Sequence, residues 1–187
     1  FASLLDRAMK QWGVMPKGAG LVDGKLISDT GELVFDPEHA KFQIQTPYCG
    51  YFSGTPDEKI ALSEKVEVHS YNERITLSLV SVREKALGKA QEFVLTAMGT
   101  TGMDETTCSE GPEMMGIPFT AVQFKGKLYA ETLEGKIVVK AEEAILKVLD
   151  PVGEEIGEIT GEKTSGGIQF TMTGELPGIQ YHLIIQK

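Results

Sequence analysis

Apolar and polar residues alternate with a period of two along much of this chain, and that alternation constrains the fold more than any other feature. In "ITLSLVSV" (75–82), Ile75, Leu77 and Leu79 alternate with small polar residues. "EFVLTAM" (92–98), "GIQFTMTG" (167–174) and "IQYHLIIQK" (179–187) repeat the pattern. Because successive side chains of a strand point to opposite faces, these runs predict strands with one buried face and one wet face.

Turn residues separate the runs at short intervals. "FKGK" (124–127), "LEGK" (133–136), "DPVGEE" (150–155), "TSGG" (164–167) and "LPG" (176–178) carry the glycine and proline residues of tight turns. Short strands with a turn about every 8–12 residues indicate a sandwich or barrel. We predict an all-β fold, an antiparallel β-sandwich of roughly eight or more strands with one N-terminal amphipathic helix.

The helix is predicted in the opening segment, "FASLLDRAMKQWGVMP" (1–16). Its apolar residues fall on one stripe at helical spacing: Leu4, Leu5, Ala8, Met9 and Trp12. We expect residues 1–17 to be a helix and linker from a preceding domain and residues 18–187 to be the sandwich. The chain begins with Phe1 rather than methionine, which we interpret as a processed product or a piece of a longer chain.

The composition of the chain argues against several classes of binding partner and metal site. The net charge of −9 over 187 residues argues against nucleic acid and anionic membranes, since both require a basic face. Two cysteines, Cys49 and Cys108, allow one disulfide but no cysteine-rich zinc site. His39, His69 and His182 match no metal spacing, and His182 is expected to face solvent or to be hydrogen-bonded. We expect no metal, no cofactor, no nucleic acid and no membrane partner.

The triplet Asp29-Thr30-Gly31 matches the signature around the catalytic aspartate of pepsin-like and retroviral-type proteases. Such an enzyme needs two carboxylates that share one proton, so it needs a second triplet or a homodimer. The chain has one triplet, and Glu32 follows it with a second negative charge. We favour a structural turn ahead of the strand "ELVFD". A dimeric aspartic protease that uses Asp29 stays an alternative.

Acidic pairs raise a second enzymatic alternative, a small glycosidase that uses two carboxylates as acid and nucleophile. We favour solvated turn carboxylates for all of the candidates. These are Glu110 and Glu113, Glu142 and Glu143, and Glu154 and Glu155.

Aromatic residues matter if the ligand is a sugar, because pyranose faces stack on flat side chains. The candidates for carbohydrate binding are Trp12, Tyr48 and Tyr51. Packing in the core is the alternative for each of the three.

Several motifs, taken in order, resemble a known arrangement. They are "LISDTGELVFDPEHAKFQIQTPYCGYFSG" (26–54), "EFVLTAMGTTGMD" (92–104) and "ILKVLDPVGEEIGEI" (145–159) followed by the closing hairpins. Over residues 20–187 the chain resembles the C-terminal β-sandwich appended to the catalytic barrel of some bacterial glycoside hydrolases, which are cellulase-like or β-galactosidase-like enzymes. It departs from the family pattern at Phe35, where the family tends to have tryptophan, and at Thr100, where it tends to have asparagine.

The resemblance implies a non-catalytic accessory module of a carbohydrate-active enzyme. The catalytic carboxylates of that family belong to the barrel, which takes about 250 residues and cannot fit in this chain. The expected partner is polysaccharide or the catalytic domain of the same enzyme, and the expected location is secreted or cell-surface. Because the matching motif includes Asp29, Thr30 and Gly31, the resemblance also implies that this triplet is a structural turn.

Overall fold

The computed structural model describes residues 2–14, 18–83, 85–103, 105, 107–111, 120–123, 126–174 and 178–186. One helix, α1 (Ala2–Gln11), precedes the strands. In chain order the strands are β1 Gly20–Val22, β2 Lys25–Ile27, β3 Leu33–Asp36, β4 Lys41–Gln45, β5 Cys49–Gly54, β6 Ile60–Ala61, β7 Val66–Ser70, β8 Ile75–Ser81, β9 Glu92–Met98, β10 Thr101–Met103, β11 Thr107–Glu110, β12 Thr120–Gln123, β13 Leu128–Ala130, β14 Gly135–Val139, β15 Glu143–Leu149, β16 Glu155–Ile159, β17 Glu162–Thr164, β18 Gly167–Met172 and β19 Gln180–Gln186.

Most of the strands form two antiparallel sheets. The larger has ten strands in the order β1-β2-β3-β4-β5-β8-β9-β19-β15-β16, and the smaller has five in the order β17-β18-β14-β7-β6. Two ribbons, β10 with β13 and β11 with β12, stand beside them. The predicted all-β fold with antiparallel sheets and one short N-terminal helix is confirmed.

One hydrophobic core lies between the two sheets. In β8, the buried residues Ile75, Leu77 and Leu79 alternate with partly exposed ones, as period-two strands require. From the larger sheet, only β5, β8, β9, β19 and β15 contribute buried residues to this cluster within the described chain. The smaller sheet contributes Ile60, Val66, Val68, Ile137, Val139, Ile168, Phe170 and Met172. Within the described residues, five strands of the larger sheet therefore pack against four strands of the smaller one, and β17 is exposed.

Helix α1 is shorter than the predicted segment and is tied to the edge strand by polar contacts. The backbone N–H of Leu21 donates to Asp6 Oδ1 at 2.7 Å, and Lys10 Nζ donates to the Leu21 carbonyl at 2.9 Å. The hydrogen bond from Leu21 lowers the pKa of Asp6. Leu4 and Trp12, expected on the packed stripe, are largely exposed. A single strand edge is too narrow to cover the whole stripe.

The structure shows the surroundings of His182 and the state of the two cysteines. His182 lies on the side of β19 away from the core, between Val94 and Lys147 on the neighbouring strands. The residue is partly exposed, but its Nε2 atom is shielded and has no hydrogen-bond partner within the described chain. Cys49 and Cys108 are both free thiols.

No helix of the described residues is long and apolar enough to cross a membrane.

Gly50 lets β5 pass close to the segment before β7. A Cβ atom at this position would collide with the carbonyl oxygen of Leu62. We expect Gly50→Ala to lower the free energy of unfolding by about 1–3 kcal/mol, because neither backbone can move without disturbing the core. Urea unfolding measures the loss. Gly88→Ala is the matched control, since its Cβ would meet nothing nearer than Glu64 Oε2 at 3.5 Å. Equal stability of the two variants would contradict the close approach.

Tyr181 makes stability depend on alkaline pH. Its hydroxyl donates to the Gly178 carbonyl at 2.6 Å, and burial raises the pKa of Tyr181 to about 12. An unfolded tyrosine titrates near pH 10, so its contribution to stability is complete below about pH 10 and is lost as the pH rises toward the folded value.

We therefore expect Tyr181→Phe to be less stable than the parent by about 1 kcal/mol near neutral pH, where the hydrogen bond is lost. That difference should shrink or reverse as the pH rises above about 10, because phenylalanine has no proton to release. Urea unfolding at a series of pH values measures it, with Tyr48→Phe as an exposed control. A constant difference across the series would contradict the linkage.

Candidate functional site

The three aromatic residues predicted to bind carbohydrate lie on three different elements. Trp12 follows helix α1 and is 74% exposed. Tyr48 lies in the turn between β4 and β5 and is 57% exposed. Tyr51 lies on β5, is half-buried, and makes an edge-to-face contact with Phe42, with ring centroids 5.9 Å apart. Tyr51 is therefore part of a packed surface, while Trp12 and Tyr48 are open to solvent.

The triplet Asp29-Thr30-Gly31 lies in the exposed turn that joins β2 to β3. Asp29 Oδ1 accepts a hydrogen bond from the N–H of Thr30 at 2.9 Å, and Gly31 has a φ of +74°. The residue that spans the turn is Ser28, whose Oγ accepts from the N–H of Leu33 at 3.1 Å. Serine is a common hydrogen-bond acceptor in such a turn, and the sequence "SDTG" already indicates its place there.

The acidic pairs proposed for a glycosidase are dispersed. Glu142, Glu143, Glu154 and Glu155 are exposed, and Glu155 is paired with Lys147 at 2.7 Å. Glu113 lies outside the described residues, as does the side chain of Glu110. Within the described part of the chain, no group of three or more His, Cys, Asp or Glu side chains is placed to hold a metal ion.

A broad apolar surface covers the outer side of the first six strands of the larger sheet. Strand register places its residues in lateral rows, such as Leu26 beside Phe35 beside Phe42. A second row runs from Leu33 through Ile44 to Tyr51. No residue that the structure describes on the outer side of these strands is charged. We call this set the outer apolar surface: Leu21, Leu26, Leu33, Phe35, Phe42, Ile44, Tyr51 and Val80.

Strands β2 to β4 direct their polar residues to the opposite side, which is the side of the core. Gln43 is paired with the buried Phe52, and Asp36 is paired with Lys41. Lys25 Nζ lies 3.7 Å from Asp36 Oδ2 on this side. A half-buried sheet normally directs its apolar side to the core and its polar side to water. These strands differ, because their outer side is wholly apolar while their core side mixes the polar residues with Ile27 and Val34.

The outer side of the smaller sheet has the ordinary polar character. Glu67 on β7 is held by Lys140 Nζ at 2.7 Å and by Lys59 Nζ at 2.9 Å. The hydrogen bond from Lys140, followed by that from Lys59, lowers the pKa of Glu67. His69 and Lys136 are neighbours on the same side. The outer side of the smaller sheet is thus charged, whereas the outer apolar surface has no charged residue among those described.

A separate cleft of about 460 Å³ lies at one end of the sandwich, where the β7–β8 turn meets the segments around residues 100 and 131–134. We call it the Tyr71 cleft, after the tyrosine that borders it. The residues used below are Tyr71, Asn72, Glu73, Thr100, Glu131 and Glu134.

Asn72, the single asparagine of the chain, joins the segments that form the Tyr71 cleft. Its Nδ2 donates to the Thr132 carbonyl at 3.0 Å, and its Oδ1 accepts from the N–H of Glu134 at 3.0 Å. Oδ1 also accepts from Ser70 Oγ at 3.1 Å. One amide group therefore connects residues about sixty positions apart in the chain. Nothing in the local sequence around Asn72 indicates these partners.

Comparisons of the chain with family models, with curated protein sequences and with solved structures find no match. The resemblance to the accessory sandwich of glycoside hydrolases therefore stays a prediction that rests on the motifs quoted above.

We expect Asn72→Ala to lower the free energy of unfolding by about 1–3 kcal/mol, because the backbone groups of residues 132 and 134 lose their partner. Glu73→Ala, at the exposed neighbouring position, should change stability little and serves as the control. Urea unfolding measures both. Amide exchange at Glu134 should accelerate in Asn72→Ala alone, and unchanged protection there would contradict the bridging role.

Proposed function

We infer that this chain is a non-catalytic accessory module of a carbohydrate-active enzyme, and that its outer apolar surface packs against the catalytic domain of that enzyme. The single observation that carries the proposal is the outer side of strands β2 to β4, which consists of apolar residues alone. Every residue that these strands direct away from the core is apolar, and their charged residues lie on the core side together with Ile27 and Val34. Such a pattern favours a second apolar partner on the outer side.

The exposure of this surface argues in the same direction. Leu26, Leu33, Phe35 and Val80 are each more than a third exposed. Complete burial of a side chain of this size contributes on the order of 1.5–3 kcal/mol. Because these four side chains are between 37% and 43% exposed, a partner that covers them would gain only that fraction of the amount from each, less the cost of association.

The chemistry of the surface selects among partners. Nucleic acid requires cationic side chains, and none is described on the outer side of these strands. A polysaccharide requires a dense set of hydrogen-bonding groups, whereas this surface offers mainly aliphatic and phenylalanine side chains. Tyr51, a predicted sugar-stacking residue, is packed against Phe42 here and contributes to the apolar row. These features favour the buttressing role over polysaccharide binding at this surface.

The assignment to a carbohydrate-active enzyme is supported by the sequence motifs. The quoted segment 26–54 spans β2 to β5, which are the strands that form most of the outer apolar surface. The motifs that resemble the glycoside hydrolase accessory sandwich and the surface proposed to meet its catalytic domain therefore coincide in the chain.

The direct test uses the catalytic domain encoded in the same gene. We expect the separately produced chain to bind that domain and to raise its melting temperature. The double variant Leu33→Ser, Phe35→Ser should weaken binding by roughly ten-fold or more, because two apolar side chains lose their contacts. Analytical ultracentrifugation measures the association. Alone, the parent chain should also self-associate more than the double variant, since the surface is then uncovered.

The control is Val152→Ser, Ile156→Ser, which removes two exposed apolar side chains at the opposite end of the same sheet. This variant should bind as the parent does. The proposal fails if the gene encodes no glycoside hydrolase domain, or if the two double variants bind that domain equally well.

A further inference from the structure

We propose that a partner protein adds an extended strand to the free edge of β16. A basic side chain of that strand lies beside Glu158, and an apolar side chain enters the cavity beside Ile159. Strand β16 is at the opposite end of the ten-stranded sheet from β1 to β4, which carry most of the outer apolar surface. The proposal therefore does not depend on the proposed function and is tested separately.

A cavity of about 300 Å³ opens between the two sheets at this edge, and we call it the lateral cavity. Core residues line it, namely Leu133, Met172 and Tyr181, each no more than 5% exposed. Ile159 of β16 also lines it and packs partly against the core. The volume is at the lower end of the range for ligand pockets, about 300–1,000 Å³. The lateral cavity can therefore take an apolar side chain but not a large cofactor.

The backbone of β16 offers a donor and an acceptor at the mouth of the lateral cavity. Successive residues of an antiparallel ladder direct their N–H and C=O groups to opposite neighbours. The N–H of Ala97 donates to the Ile179 carbonyl, and the strand registers carry this alternation across β19 and β15 to β16. The groups of Gly157 and Ile159 consequently bond to β15, and those of Glu158 point away from the sheet. An edge with such groups is a template for another strand.

The facing edge of the smaller sheet is also open at this level. The N–H of Lys140 donates to the Lys65 carbonyl, and the registers carry the alternation across β14 to β18. The N–H and C=O groups of Thr171 therefore point away from β14, toward the side on which β17 lies. Strand β17 pairs with β18 only as far as Gln169, so it does not reach Thr171. The ladder of β17 thus leaves the lateral cavity uncovered.

Strand geometry determines which side chains the added strand must carry. Glu158 is opposite Lys147 on the outer side of the larger sheet, whereas Ile159 is opposite the buried Leu146. A residue paired with Glu158 directs its side chain to the outer side, next to the carboxylate. The residue paired with Ile159 directs its side chain toward the lateral cavity. The partner segment must therefore be apolar at alternate positions.

Charge determines the other positions. The segment 151–162 contains four glutamates and no lysine or arginine, and Lys147 pairs with one of them, Glu155, at 2.7 Å. A basic segment is attracted to this edge. A second copy of β16 would bring the same glutamates and be repelled, so self-pairing is disfavoured. The structure thus favours a segment in which basic and apolar residues alternate, which is the mode of recognition by strand addition.

The experiment is isothermal titration calorimetry of the full chain with capped octapeptides. The probe alternates lysine and valine, and we expect it to bind more weakly as salt is added. One control replaces valine with serine and another carries N-methyl groups on the lysines, which removes the N–H donors to Glu158. Each should bind roughly ten-fold more weakly or worse, since the first loses apolar burial and the second loses hydrogen bonds. A peptide of alternating glutamate and valine should not bind.

Amide exchange locates the binding. The Glu158 amide should be protected when the lysine–valine peptide binds, because its N–H then has a partner. The Gly157 amide already bonds to β15 and should change little, so it is the internal control.

Two variants of one residue separate the backbone from the side chain. Glu158→Pro removes an N–H that makes no ladder bond in the free protein, which an edge strand tolerates. Glu158→Ala keeps that N–H and loses the same carboxylate. We expect the proline variant to bind the lysine–valine peptide roughly ten-fold more weakly than the alanine variant. Ile159→Phe, which fills part of the lateral cavity, should also weaken binding. Urea unfolding of the three variants confirms that each is folded.

Four results would overturn the proposal. The first is no binding of the lysine–valine peptide to the parent chain. The second is equal binding of the serine or N-methylated control, which would reduce the interaction to charge alone. The third is equal binding by Glu158→Pro and Glu158→Ala. The fourth is self-association in analytical ultracentrifugation that Glu158→Pro abolishes and Glu158→Ala retains, which would assign this edge to a second copy of the chain.

Discussion

A five-stranded sheet cannot cover a ten-stranded one, and this mismatch in width governs the rest of the molecule. Only β5, β8, β9, β19 and β15 of the larger sheet contribute to the shared core within the described residues. Strands β1 to β4 continue the hydrogen-bonded sheet, but among the described residues they contribute no buried side chain to the shared core. Every strand has two faces, and the central strands bury one of them in the shared core. The strands at this edge cannot bury a face in the same way.

In β2, β3 and β4, the residues on the outer side are all apolar, and the charged residues lie on the core side. On the core side of the extension, polar groups neutralise one another instead of packing in a dry interior. The Asp36 carboxylate accepts hydrogen bonds from the backbone of Glu38 and His39 and lies 3.0 Å from His39 Nδ1. Burial alone would raise the pKa of Asp36, but the hydrogen bonds from His39 outweigh it and lower the pKa. On the outer side, Leu26, Leu33 and Phe35 are each more than a third exposed.

At one end of the sandwich, segments that are distant in sequence converge on one polar side chain, that of Asn72. The β7–β8 turn and the segment before β14 are joined through Asn72, and the start of β10 joins them through Glu131. These bonds use backbone groups that are free of the sheet ladder, so they hold loops rather than strands. The acceptors left over, Glu73 and Glu134, face the cleft and give it its acidic character.

The sequence by itself determined strands β8, β9, β18 and β19, because alternation of apolar and polar residues is a local property. It placed Ile75, Leu77 and Leu79 on one face and Tyr181 and Leu183 on another, and all five are buried. It also located the turn at residues 28–31, since serine, aspartate and glycine act on their immediate neighbours. What alternation could not determine is which face of a strand meets the core.

Only the tertiary structure determined which face of each strand meets the core. The outcome is opposite in β3 and β8. Phe35 and Phe42 alternate as regularly as Leu77 and Leu79, yet the first pair faces outward and the second inward. The difference depends on how far each strand lies from the five-stranded sheet, which is set by pairings between segments remote in sequence. The partners of Asn72 were hidden for the same reason, because they lie about sixty residues away and meet it only once the two sheets have formed.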